Sequence, residues 1–147
     1  LLLPCSALFT LFYVRRCYMI NFADFNDNNA IEDTLVGISI ITMFKKVGLQ
    51  AYGAKVAQGE CVRCHSHSKG EEWYIILSGK GAIWTADVIA GALKNKRVDA
   101  FAKGSVFCIY PDTAHQLAAT TDVEFIFLCP ESHITHDRIL FDNIVGE

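Results

Sequence analysis

His65, Ser66 and His67 place two imidazoles one residue apart, and Glu72, Gly79 and Gly81 follow closely. A strand turns alternate side chains to the same face, so the rings of His65 and His67 should emerge side by side from an extended segment. A short connection lets Glu72 enter from the start of a neighbouring strand. Gly79 with Gly81 supplies a tight turn where that strand ends. A third imidazole, His115, comes just after a Pro111-Asp112 turn in a later strand-rich stretch. Three neutral nitrogens and one carboxylate make a good site for a divalent transition metal. The pattern points to a site and leaves the substrate open.

The elements that must position these groups are strands. Leu35 to Phe44 is a continuous β-branched and apolar run, consistent with a strand buried on both faces. Ala51 to Val56, Cys61 to His67 and Glu72 to Leu77 read as further strands. The last of these joins Ala82 to Ala86 through Ser78-Gly79-Lys80-Gly81 as a hairpin. Asp87 to Lys103 is less regular and reads as a loop or hairpin excursion. Ser105 to Tyr110, His115 to Ala118 and Val123 to Cys129 resume the strands. The tail around Asp137 to Phe141 forms a short helix or an edge strand. Around eight short strands with frequent turn signals predict an all-β sandwich or closed barrel.

The chain has 147 residues, 52% of them hydrophobic and 12% aromatic, enough for one well-packed domain without structural zinc or disulfides. A net charge of -3 gives no electrostatic case for nucleic acid. Lys94-Asn95-Lys96-Arg97, the densest basic run, reads as a solvated turn. Residues 1–33 read as an N-terminal extension, weakly structured or forming a short helix, and residues 34–147 as the barrel domain. Leu1 to Val14 is apolar but too short for a membrane span and carries Pro4; Arg15 and Arg16 follow it rather than precede it. A poorly ordered extension, or one foreign to the protein proper, is the preferred reading. A helix packed on the barrel or on a partner comes next, and a membrane anchor last.

Cys61 and Cys64 form a C-x-x-C pair just before the histidines, which invites a zinc reading. Strand register argues against it. If His65 and His67 face inward, so do Arg63 and Cys61, while Cys64 faces away. The six cysteines are therefore read as buried, reduced thiols, which suits a cytoplasmic protein.

The pattern resembles the cupin superfamily, whose first motif runs G-x5-H-x-H-x3-4-E-x6-G. Gly59, His65, His67, Glu72 and Gly79 match every fixed position. The second motif runs G-x5-P-x-G-x2-H-x3-N. Gly104 and His115 keep their places, Tyr110 replaces the proline, Asp112 the glycine and Ala119 the asparagine. Asp adopts left-handed backbone angles in a turn better than most residues. The resemblance covers roughly Leu35 to Cys129. It implies a single-domain jelly-roll (double-stranded β-helix) barrel of six or eight strands. His65, His67, Glu72 and His115 would be its metal ligands, holding Mn, Fe, Zn or Ni with two positions open. Relatives commonly pair as homodimers, and Leu35 to Phe44 is a candidate exchange or interface strand.

Around that set, strand parity places Arg63 on the inward face, where its planar donors suit a substrate carboxylate; the alternative is a residue of the barrel mouth paired with an acid. Tyr74 shares parity with Glu72, and Tyr52 lies on a neighbouring strand. Each serves as a hydrogen-bond donor or acid/base group, or simply packs with a satisfied hydroxyl. Glu71 is read as an exposed carboxylate, Gln116 as pointing away from the site, and His133 and His136 as surface or tail residues. Trp73, Trp84, Phe107, Phe125 and Phe127 are read as core. The leading functional expectation is a metal-dependent isomerase or lyase/dehydratase acting on a small polar, carboxylated or sugar-like molecule. An Fe(II)-dependent dioxygenase and a non-catalytic metal- and ligand-binding sensor are the alternatives; a storage protein is disfavoured because all four ligands are present. Neither nucleic acid nor membrane is expected as a partner.

Overall fold

The computed structural model of the chain describes residues 22–146. The expectations for residues 1–18 lie outside the described residues. After a 3-10 turn at Asp27–Asn29, the chain builds two antiparallel sheets. The first takes β1 (Ala30–Asp33), β2 (Ile38–Lys46), β3 (Leu49–Val56), β10 (Val123–Cys129), β5 (Glu72–Ser78) and β8 (Val106–Ile109), in the order β1-β2-β3-β10-β5-β8. The second takes β11 (Ile139–Leu140), β4 (His65–Ser66), β9 (Thr113–Ala119), β6 (Lys80–Ile89) and β7 (Ala92–Ala102), in the order β11-β4-β9-β6-β7. A short helix, α1 (Ser132–Thr135), links β10 to β11.

Alternation drives the packing. Along β10 the odd positions Val123, Phe125, Phe127 and Cys129 are buried and the even ones half-buried, so one face of the strand fills the space between the sheets. Tyr74 stacks on Phe107, Phe125 and Phe127 at centroid separations of 5.0, 5.3 and 6.2 Å, and Tyr52 on Phe127 at 5.1 Å. These rings, with Ile76, Ile83, Leu117 and Val123, make the main core.

Of the two readings of Asp87 to Lys103, the structure has the hairpin, with Ala90 and Gly91 as its two turn residues at φ 51° and 77°. That is the two-residue turn whose usual signal is Asn-Gly, which is why an Ala-Gly tip went unread. Lys94 to Arg97 is part of β7 and not a turn, although it is largely exposed. Leu35 lies in a turn and β2 begins at Ile38. β1 pairs with Ile38 to Ile41 of that strand, on the side away from β3. Trp73 is 42% exposed rather than core, its indole donating to the Glu71 carboxylate at 2.9 Å.

Turn chemistry follows the motif positions. Gly79 sits at φ 81°, and a Cβ there would run into the carbonyl of Asp122. Asp112 adopts φ 59°, so it fills the left-handed turn position that the second motif gives to glycine.

Candidate metal centre

β4 pairs with β9 so that His65 lies directly opposite His115, and His67 follows one residue beyond β4. Glu72 opens β5 in the other sheet. Three imidazoles from one sheet and one carboxylate from the other thus converge in the barrel interior. One ligand atom from each of the four lies within 4.8 Å of all the others. His65, His67 and Glu72 are each 4% exposed and His115 is 1% exposed.

Glu72 Oε2 is 3.2 Å from His115 Nε2 and 3.3 Å from His67 Nε2. These contacts lack hydrogen-bond geometry, and all three atoms are buried without a hydrogen-bond partner. Leaving buried polar atoms unsatisfied costs about 1–3 kcal/mol each. A shared divalent cation removes that cost, because donors about 2.0–2.2 Å from one ion necessarily sit this close together.

The opposite ring nitrogens are anchored. His65 Nδ1 lies 2.8 Å from the Arg63 carbonyl and His115 Nδ1 lies 3.2 Å from that of Thr113, while His67 Nδ1 meets the carbonyl of Asp137. A proton on each Nδ1, donated to these carbonyls, leaves every Nε2 lone pair free to face the centre. Burial, then the proximity of His115, holds the His65 imidazole well below its ordinary pKa, so it is neutral. Burial would raise the Glu72 carboxyl. His115 and His67 outweigh it and hold Glu72 well below the usual carboxylate range. A neutral His65 imidazole and an ionised Glu72 carboxylate are the forms that bind a cation.

Of the remaining predicted residues, Tyr74 lines the cavity beside the donors, with its ring edge-on to His115 at 6.3 Å and 77°. Burial, then Glu72, pushes its phenol well above the ordinary value, so it can donate but not act as a base. Tyr52 is buried elsewhere: its hydroxyl donates to Gln50 and it does not line this cavity. Burial, then Cys129 and Glu131, pushes it up to about 12. Arg63 is exposed and not inward-facing, and so is Cys61. The cause is local. Cys61 forms only an isolated bridge to Ala118. Val62 N then bonds Leu117 O, and Arg63 N turns to Val36 O. Parity cannot be carried back from His65 through a segment that changes partners at each residue.

The tail supplies what periodicity did not reveal. His133 is 1% exposed, not a surface residue, and its ring lies parallel to that of His67 at 3.8 Å. His136 is exposed, as expected. The Asp137 carboxylate accepts from Ser68 N, Ser68 Oγ and Lys69 N at 2.9, 2.7 and 2.9 Å, fixing the loop after His67. Arg138 Nη1 bonds both Asp33 oxygens at 3.0 and 2.9 Å, and the pair borders the same cavity. Spaced apolar residues in the tail (Ile134, Leu140, Ile144) were the available signal that it packs against the barrel.

That cavity has a volume of about 20 Å³, the space of roughly one water. A larger open cleft of about 440 Å³ lies between β7 and β8, bordered by Arg97, Asp99, Phe101 and Phe107; none of the four donors lines it.

No family sequence model matches the chain, and no curated protein matches its sequence. Solved structures do match in fold. An uncharacterized conserved protein with a double-stranded β-helix domain from Klebsiella pneumoniae superposes with a TM-score of 0.56 at 12% identity, over 83% of this chain and 92% of that one. An RmlC-like cupin from Shewanella frigidimarina gives 0.57 at 16% identity, over 75% and 90%. The oxalate decarboxylase of Lactobacillus farciminis, solved as a formate complex, gives 0.58 at 17% identity, over 76% of this chain; the match spans only 33% of that longer protein.

Proposed function

We propose that this chain, whose fold is that of the cupins, holds one divalent transition-metal ion (Mn, Fe, Zn or Ni) between His65, His67, Glu72 and His115. We further propose that it acts as an isomerase or lyase/dehydratase on a small polar molecule bearing a carboxylate or sugar-like group. The observation that carries this reading is the trio of buried, unpartnered atoms His67 Nε2, Glu72 Oε2 and His115 Nε2, aimed at one point. Such an ion, when bound with open positions, supplies Lewis-acid polarisation of a substrate oxygen.

The chain's own residues orient and enclose. Tyr74 offers a neutral hydroxyl beside the donors, and the Asp33–Arg138 pair closes the cavity. Arg138, not Arg63, is the cation in position to meet a substrate carboxylate, and its Nε is buried without a partner. The fold-similar oxalate decarboxylase holds formate, a carboxylate, which agrees with an anionic substrate. A cavity of about 20 Å³ admits an ion but not a substrate, so turnover requires the cavity to widen. The same small volume favours a second reading, binding of metal and a small ligand without turnover. The described cysteines are free, in keeping with a cytoplasmic location, and a homodimer is the expected assembly.

Elemental analysis of protein purified without chelator tests the site. The parent carries near-stoichiometric divalent metal and His67→Ala loses most of it; equal metal in both overturns the ligand assignment. Bound iron with oxygen uptake would instead favour the dioxygenase alternative.

A further inference from the structure

Beyond the four-donor centre, a second group of buried donors is left unused. His133 Nε2 lies 2.6 Å from the Lys69 carbonyl, to which it donates, so the Nδ1 lone pair is free. That nitrogen is buried, has no hydrogen-bond partner, and faces Glu72 Oε2 at 4.0 Å. Cys129, the last residue of β10, is 0% exposed. One ligand atom each from Glu72, Cys129 and His133 lies within 4.8 Å of the others. The Lys69 bond uses Nε2 alone, and Nδ1 takes no part in anchoring the tail. A neighbouring trio, His67, His133 and Asp137, is also compact. It is already spent on hydrogen bonds: the Asp137 carboxylate is taken by Ser68 and Lys69, and His67 Nδ1 by the Asp137 carbonyl.

We propose that Glu72, Cys129 and His133 form a second cation site that shares the Glu72 carboxylate with the first. A thiolate, an imidazole and a carboxylate suit Zn(II) or Co(II), with water as the fourth donor. Donors on one tetrahedral ion sit about 3.5 Å apart, so the 4.0 Å separation of Glu72 Oε2 and His133 Nδ1 needs only a small closure. Binding displaces the Cys129 thiol proton to solvent and leaves a metal–sulfur bond; no oxidant or reductant enters. The His67 and His133 rings lie parallel at 3.8 Å, and each presents a nitrogen to Glu72 Oε2, at 3.3 and 4.0 Å. The site depends on the first only through Glu72 and not on any reaction class.

Co(II) titration of the reduced, metal-free full chain tests the proposal, followed by the near-ultraviolet sulfur-to-cobalt charge-transfer band. The parent takes two equivalents, one of which develops the band. Cys129→Ser takes one equivalent without the band, and His133→Gln binds the band-forming equivalent at least about tenfold more weakly. His115→Asn weakens the other equivalent and keeps the band. If Cys129→Ser does not fold, by circular dichroism, His133→Gln decides. A parent that saturates at one equivalent without a thiolate band overturns the second site and leaves the first standing. A parent that binds no cobalt overturns both. A band that persists in folded Cys129→Ser assigns the sulfur elsewhere and overturns this site.

Discussion

The backbone carbonyl of Asp137 meets His67 Nδ1 across 70 residues of chain, while the Asp137 side chain holds Ser68 and Lys69. One residue of the C-terminal segment therefore fixes both the ring orientation and the following loop of a candidate ligand. Partners of this kind set which imidazole nitrogen is free for a metal.

Asp137→Asn keeps the backbone carbonyl but cannot accept all three loop bonds with a full charge. It should cost about 1.5–3 kcal/mol of stability and weaken metal affinity by about 10–100-fold. Urea unfolding and competition against a chromophoric chelator measure the two effects. Wild-type values for both would show that the loop needs no such anchor.

The metal-free protein should lose stability with acid in two windows. His65 and His133 are held below their ordinary 6.5, both first by burial and then by a neighbouring histidine. The unfolded chain then takes up protons that the native chain does not. Stability is full above about pH 6.5 and declines as pH falls toward the native values. For Asp137 burial acts upward, yet the Ser68 and Lys69 bonds bring it below 3.8. Its contribution is present above about pH 3.8 and disappears as pH falls through the lower native value. Urea midpoints across this range check both. A midpoint that stays flat through the upper window contradicts the buried, neutral histidines.

Asp33 and Arg138 are 10% and 8% exposed, a nearly dry ion pair. Asp33→Ala should cost about 3–5 kcal/mol, because it strands the Arg138 charge; adding Arg138→Leu should recover much of that. Denaturant unfolding of the two single variants and the double variant reads this directly. Simple additivity would mean that the pair does not couple.

Gly79→Ala and Gly91→Ala separate strain from collision. Both glycines have positive φ, but only at Gly79 does a Cβ meet backbone, the Asp122 carbonyl; at Gly91 nothing lies within 4 Å. Gly91→Ala should cost about 1–2 kcal/mol and Gly79→Ala clearly more. Equal melting temperatures for the two variants would contradict the packed turn.

Much of the site was legible before any coordinates. Val123 to Cys129 has the same bounds in sequence and structure, because it is a short, almost continuous run of β-branched, aromatic and other apolar residues between Asp122 and Pro130. His65, His67, Glu72 and His115 stand out in the sequence because candidate ligands and turn residues fall at fixed spacings, and the structure brings the four side chains together. Trp73 lies on the outward parity of β5, opposite to Glu72 and Tyr74, whereas Arg63 and Cys61 do not follow the parity of His65. Parity is informative only inside a continuous ladder, and β4 spans just His65–Ser66. In the tail, the edge strand is one of the two readings and is present as β11, whereas the burial of His133 has no local signal, since its partners lie far back along the chain.

What the chain alone determined, then, was what is encoded locally: most strands, their turns and the spacing of four candidate donors. Tertiary structure decided the rest. Orientation of His67, burial of His133 near Cys129, and the Asp33–Arg138 pair in the cavity wall each depend on contacts between distant segments. Burial and desolvation belong to the assembled barrel, and no stretch of sequence carries them by itself.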